Sequence, residues 1–196
     1  MNGTTRDFLS LWSAFLDAPR RVGAIVPSSS ALARRMVEDV AWESVRTAVE
    51  CGPGTGAFTG AILDRLPDAA RLLAVELNPA LAARLQERHP EVRVHSGSIA
   101  ALPEILREHD LGPVDVIVSG LPWAAFSAEE QEVLLSRLIS CLAPGGRFLT
   151  YAYIQGLLLP SGRRFRRLLH RNFPQVRRSP VVWRNIPPAF VYRCRR

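Results

Sequence analysis

Five short runs of apolar and β-branched residues recur along the chain: "RTAVE" at 46–50, "RLLAVE" at 71–76, "VRVHSG" at 92–97, "VDVIVSG" at 114–120 and "GRFLTYAY" at 146–153. Between them lie stretches of helical periodicity near 56–66, 79–88, 99–108 and 129–142. No other feature narrows the fold as much. Runs without polar alternation read as strands buried on both faces, and strands alternating with helices pair in parallel, since each helix returns the chain to the edge where the previous strand began. The expectation is an α/β protein with a central, mostly parallel sheet and helices on both faces. "APGG" at 143–146 reads as a turn feeding the fifth strand. The tail adds a helix near 162–172 and two strand-like runs, "PVVW" at 180–183 and "AFVYR" at 189–193, for a seven-stranded sheet.

A chain of 196 residues is long enough for one well-packed domain and short for two. Residues 45–196 form the expected core, and 1–40 an N-terminal helical extension. In that extension, "RDFLSLWSAFLD" places Phe8, Leu11, Trp12, Phe15 and Leu16 on one helical face, Pro19 and Pro27 interrupt, and serines cap a second helix running to about Val40. No run approaches the roughly 18 to 20 apolar residues of a spanning helix, and the N-terminus lacks the pattern of a secretory signal. A cytosolic location is expected. Cys51, Cys141 and Cys194 have no metal-ligand spacing and read as reduced structural thiols. The four histidines are scattered, so neither a metal nor a nucleophilic constellation is expected.

"ECGPGTG" at 50–56 follows the first strand and opens a helix. Glycine costs conformational entropy, so this segment needs backbone where side chains would obstruct. At the carboxyl end of a parallel strand, such a loop presents backbone N–H groups and a helix N-terminus to a ligand. The second strand ends in Glu76, twenty positions beyond Gly56, where a carboxylate can accept hydrogen bonds from ribose hydroxyls. The spacing is G-x-G-x-G rather than the G-x-G-x-x-G of dinucleotide loops, and Glu50 stands immediately before it. A carboxylate there repels phosphate and suits a cationic amino group.

That combination resembles the class I S-adenosylmethionine-dependent methyltransferases, which have a Rossmann-like fold. The likeness extends over residues 48–153. By it, Glu50, Cys51, Gly52, Gly54, Thr55, Gly56 and Leu77 border the cofactor, Glu76 meets its ribose, and Ser98 and Ile99 in "SGSI" hold the adenine. "SGLPW" at 119–123 matches the acceptor loop of amino-group methyltransferases. Ser119 and Gly120 also border the cofactor, and Ser119, the Leu121 carbonyl, Pro122 and Trp123 orient an amine for in-line displacement. Trp123 could hold a methylated ammonium by cation–π attraction, or could simply cover the strand end with Pro122. Adenine bases and lipid amines both remain acceptors at this point.

"DAPRRVGAIVPSSSALARRM", "SGLPW" and "WRNIPPAFVYR" together resemble bacterial phospholipid N-methyltransferases, a family similar to ribosomal RNA adenine dimethyltransferases. The resemblance implies methylation of phosphatidylethanolamine, through its mono- and dimethyl forms, toward phosphatidylcholine. It also implies closure of Pro27, Ser28 and Ser29 over the methionine end of S-adenosylmethionine. Tyr151, Tyr153 and Tyr192 are candidates for orienting the amine or relaying its proton, and Arg184 beside Asn185 for binding lipid phosphate. RNA methylation and a non-catalytic membrane-binding role are the alternatives. An RNA acceptor is disfavoured because the acceptor loop lacks the Asn-x-Pro-aromatic form and the chain carries no appended RNA-binding domain.

The formal charge of +7 is distributed unevenly: no Asp or Glu follows Glu132, arginines crowd the last segment, and the chain contains no lysine. A phosphate-bearing partner is expected. With the stripe of Phe8, Leu11, Trp12 and Phe15 beside Arg20 and Arg21, the N-terminal helix fits an interfacial helix on anionic lipid, a lid, or both. The expected picture is a monomer associated peripherally with the inner face of the cytoplasmic membrane, requiring no metal.

Overall fold

The computed structural model describes residues 28–196. Seven strands form one sheet: β1 Thr47–Cys51, β2 Arg71–Glu76, β3 Arg93–Ser96, β4 Val114–Ser119, β5 Leu142–Tyr153, β6 Gln175–Arg178 and β7 Ala189–Arg195. Their spatial order is β3-β2-β1-β4-β5-β7-β6, parallel through β5, with β7 antiparallel to both of its neighbours. The helices are α1 Ser30–Val37, α2 Thr59–Leu63, α3 Pro79–Arg88, α4 Leu102–Glu108, α5 Ala128–Cys141 and α6 Pro160–Asn172.

Strand periodicity sorts the core into two layers. Along β2, Leu72 and Ala74 pack with Leu32 and Met36 of α1, Ile62 of α2 and Leu85 of α3, while Leu73 and Val75 face the opposite layer. That layer holds Leu102 and Ile105 of α4, Leu135 and Leu138 of α5, and Phe165 and Leu169 of α6. Helix ends match their sequence signals. Ser29 caps α1, Asn78 precedes Pro79 and caps α3, and Ser127 with Glu130 forms a capping box on α5. At the start of β1, one Asp115 carboxylate oxygen accepts from the backbone N–H groups of Arg46 and Thr47 at 2.8 and 3.0 Å. Arg193 of β7 fastens α1 by ion pairs to Glu38 and Asp39 and by a 3.0 Å hydrogen bond to the Arg35 carbonyl.

Three local expectations change. "PVVW" makes a single bridge, Val182 to Ala189, because Pro180 has no N–H for a ladder. The edge strand is instead Gln175–Arg178, whose exposed arginines suit an unpaired edge. "APGG" lies within β5, where the register against β4 shifts between Val114 and Val116. The helix read over 56–66 contracts to Thr59–Leu63, the preceding residues forming a turn. Phe8, Leu11, Trp12, Phe15, Arg20, Arg21 and Pro27 lie outside the described residues. Among those described, no helix is long and apolar enough to cross a membrane, and Cys51, Cys141 and Cys194 are buried and unpaired.

Phe148 is fully buried in β5, stacked on Phe173 at 5.8 Å and edge-on to Trp123 at 5.9 Å. Phe148→Ala should lower stability by about 3–5 kcal/mol in urea denaturation; a loss below about 1 kcal/mol would show that the layer collapses around the deletion.

Candidate active site

The strand order reverses between β1 and β4, so a crevice opens beyond the carboxyl ends of these strands. Two loops meet there backbone to backbone. Gly120 donates to the Cys51 carbonyl at 2.8 Å, and a Cβ at Gly120 would stand 2.5 Å from the Gly52 carbonyl oxygen. The glycine loop turns through left-handed backbone, with φ of 69° at Gly52, 57° at Gly54 and 81° at Gly56. Arg88 of α3 holds the Thr55 carbonyl at 2.9 Å.

Both acids of the sequence reading stand on this crevice. Glu76, buried at the end of β2, accepts from the Gly54 N–H through one oxygen and the Asn78 N–H through the other, each at 2.9 Å. It thereby ties the glycine loop to the next strand's exit, and each oxygen retains a lone pair. Leu77 follows, half-buried. Glu50 is fully buried; one oxygen accepts from the Thr59 hydroxyl at 2.7 Å and the other has no partner. Burial pushes its carboxyl up to about 7, the Thr59 hydrogen bond opposes this, and Glu76 adds to it. Thr59 and Asn78 were not singled out from sequence. The Asn-Pro start of α3 was a readable capping signal, whereas nothing local marks Thr59.

The acceptor loop is built inward. Ser119 is fully buried; its hydroxyl oxygen accepts from Trp123 Nε1 at 3.0 Å and from the Leu121 N–H at 3.4 Å. Its lone pairs are thus committed to the loop rather than open to an amine. Trp123 is buried, stacked on Phe165 of α6 with centroids 4.5 Å apart and planes 12° apart, and edge-on to Phe126. No face of its ring is open to an ammonium; with half-buried Pro122 it covers the strand end. The Leu121 carbonyl accepts from the Trp123 N–H at 3.0 Å and keeps a second lone pair. Gln131 of α5, which sequence reading passed over, is buried and donates to the Trp123 and Ser161 carbonyls, fastening this loop to α6.

Elsewhere on the rim, Ser98 caps the short turn Ile99–Ala101, and the Ile99 side chain is buried in the core. Tyr151 stands edge-on to Tyr153 with ring centroids 5.5 Å apart, and both Tyr153 and Ser28 act on its phenol. Burial drives the Tyr151 phenol further up from its ordinary value, as does Tyr153, while Ser28 opposes. The ring of Tyr151 leans on Phe58 at 5.7 Å. Asn185, buried, accepts from the Ser29 N–H at 2.9 Å and donates to the Pro187 carbonyl at 2.7 Å. It straps the start of α1 to the loop before β7 instead of facing a ligand. Tyr192 is a core residue packed edge-on against Phe190 and Phe165, and Arg184 is exposed.

A family model described as a methyltransferase domain matches residues 48–146, from β1 into β5. This chain belongs to the methyltransferase family. The ornithine lipid N-methyltransferase of Singulisphaera acidiphila is 32% identical to it over 195 residues, covering 97% of this chain and 96% of that protein. Ribosomal RNA small subunit methyltransferase A of Acidobacterium capsulatum is 39% identical over 88 residues, 39% of this chain and 30% of that protein. Among solved structures, an O-methyltransferase from Bacillus cereus in complex with S-adenosylhomocysteine superposes with a TM-score of 0.67 at 14% identity, over 100% of this chain and 92% of that one.

The methyltransferase's own residues fit S-adenosylmethionine. The partnerless Glu50 oxygen suits a cationic amine, the lone pairs on Glu76 suit ribose hydroxyls, and the glycine loop leaves backbone space between them. Among the described residues no group of His, Cys, Asp or Glu could hold a metal.

A buried carboxyl raised from 4.5 to about 7 binds its proton more tightly folded than unfolded, so it costs stability as pH rises through that window. Glu50→Gln should flatten the fall in thermal stability between these pH values while weakening S-adenosylmethionine binding by about tenfold at pH 8, read by calorimetry. Equal affinity for the two proteins would remove Glu50 from the cofactor site.

Proposed function

We propose that this methyltransferase is an S-adenosylmethionine-dependent N-methyltransferase whose acceptor is the primary amine of a membrane lipid. The observation that carries this reading is the extent of the lipid-enzyme relative: it aligns over 97% of the chain, whereas the RNA-enzyme relative aligns over 39%. The terminal motifs that suggested a lipid acceptor are thus inside the shared length. An ornithine lipid and phosphatidylethanolamine both present a primary amine to the same crevice; the full-length relative favours the first and the terminal motifs the second.

When bound, S-adenosylmethionine supplies an electrophilic methyl group on a sulfonium centre. Glu50 and Glu76 would hold its amine and ribose, and the backbone of Gly52, Gly54 and Gly120 would shape its bed. A lipid ammonium must lose a proton before its lone pair can attack. Tyr151 stays a neutral phenol at physiological pH, so its hydroxyl orients the amine or relays the ammonium proton through its own O–H to water, and does not act as a phenolate base. The free lone pair of the Leu121 carbonyl accepts one N–H, fixing the direction of the nitrogen. Ser119, Trp123 and Gln131 hold that carbonyl in place without touching the acceptor.

Labelled methyl transfer to dispersed ornithine lipid, to phosphatidylethanolamine and to small-subunit ribosomal RNA tests the reading. Label is expected in one or both lipids, and label in RNA alone would overturn it. With the preferred lipid, Tyr151→Phe should lower kcat by about a hundredfold with little change in KM; an unchanged kcat would exclude Tyr151 from the proton path.

A further inference from the structure

Only five large apolar side chains among the described residues are strongly exposed, and four of them share one rim: Leu158 at 73%, Leu159 at 48%, Trp183 at 73% and Ile186 at 72%. The fifth, Val133, lies on α5. The two segments carrying the four are brought together by β5 and β7. Tyr153 pairs with Ala189, and Ile154 donates to the Pro188 carbonyl at 3.0 Å, so 154–159 and 180–188 project from the same end of that strand pair. Because β5 runs parallel to β4, this is also the end at which the glycine and acceptor loops stand.

The segments are firmly mounted. Asn185, between Trp183 and Ile186, is bonded to Ser29 and Pro187, and Arg163 of α6 donates to the Leu157 carbonyl at 3.1 Å. Beside Trp183 runs an open groove of about 320 Å³ lined by Arg34, Arg35, Glu38, Val182 and Arg184. Its one carboxylate, Glu38, is already neutralised by Arg35 and Arg193. Among the described residues, Arg34 and Arg184 meet no carboxylate within ion-pair distance. Exposed aromatic and aliphatic tips flanked by uncompensated arginines match the two layers of an anionic bilayer surface, apolar below and phosphate above.

We propose that the rim formed by Leu158, Leu159, Trp183 and Ile186 inserts into an anionic lipid bilayer, with Arg34 and Arg184 on lipid phosphates, so that the crevice opens onto the membrane plane. The proposal rests on the lipid-amine reading for its purpose, but Leu158, Leu159, Trp183 and Ile186 are not among the residues proposed to hold the cofactor or the amine. It needs no contribution from the segment before residue 28.

Vesicle sedimentation of the full chain tests it, using phosphatidylglycerol and phosphatidylcholine vesicles. Wild type is expected to bind the anionic vesicles preferentially. Trp183→Ser combined with Ile186→Ser, and separately Leu158→Ser combined with Leu159→Ser, should each weaken that binding by about tenfold, while Val133→Ser binds like wild type. Unfolding curves superimposable on wild type identify variants that remain folded. Wild-type binding by both double variants would overturn the proposal, as would a wild type that ignores anionic vesicles. A gel-filtration shift from dimer to monomer in the variants would overturn it too, by making the rim a contact between two copies. Methyl transfer by wild type to detergent-dispersed lipid amine reports on the functional reading alone, so the two ideas fail separately.

Discussion

Everything at the site depends on how closely the exits of β1 and β4 approach. The Gly120 N–H closes on the Cys51 carbonyl, and the space where a Cβ would stand is taken by the Gly52 carbonyl oxygen. With that contact the glycine loop and the 119–123 loop share one floor, and each is fixed in position relative to the other. A side chain at Gly120 would separate the two loops, which is a greater change than altering any single group on either. The helices, caps and aromatic layer keep the paired strands rigid enough for that separation to hold.

Polar groups around this floor fall into two kinds. Ser119, Gln131 and Asn185 are buried, satisfied and committed to fastening one segment to another. Glu50 has an unsatisfied oxygen in a fully buried position, an arrangement that folding alone does not favour. A protein selected for stability alone would carry an apolar residue or an amide there. Retention of the carboxyl marks it as a group awaiting a partner.

Much of this was legible in the sequence. The parallel sheet followed from uninterrupted apolar runs between helical stretches, and the two acids from their places at strand ends. The unread features have a common cause, in that they depend on contacts between distant segments. Trp123 looks like a ligand contact in "SGLPW", yet its ring is covered by Phe165, more than forty positions onward, and no local pattern announces that. Tyr192 and Asn185 sit in a motif whose appearance suggested binding, but a central strand buries the first and Ser29 occupies the second. The edge strand 175–178 escaped notice because four residues bearing three polar side chains carry little periodic signal.

The hydrogen bond from Ser29 to Asn185 spans 156 positions of chain, and Arg193 adds its latch to the same helix from the last strand. During synthesis, the glycine loop, both acids and the acceptor loop all leave the ribosome before the residues that fasten α1 exist. The start of α1 beside the crevice is held by Asn185 and its far end by Arg193, both from the last part of the chain. In chain order, the fastening of α1 therefore comes after every group on the crevice has been made.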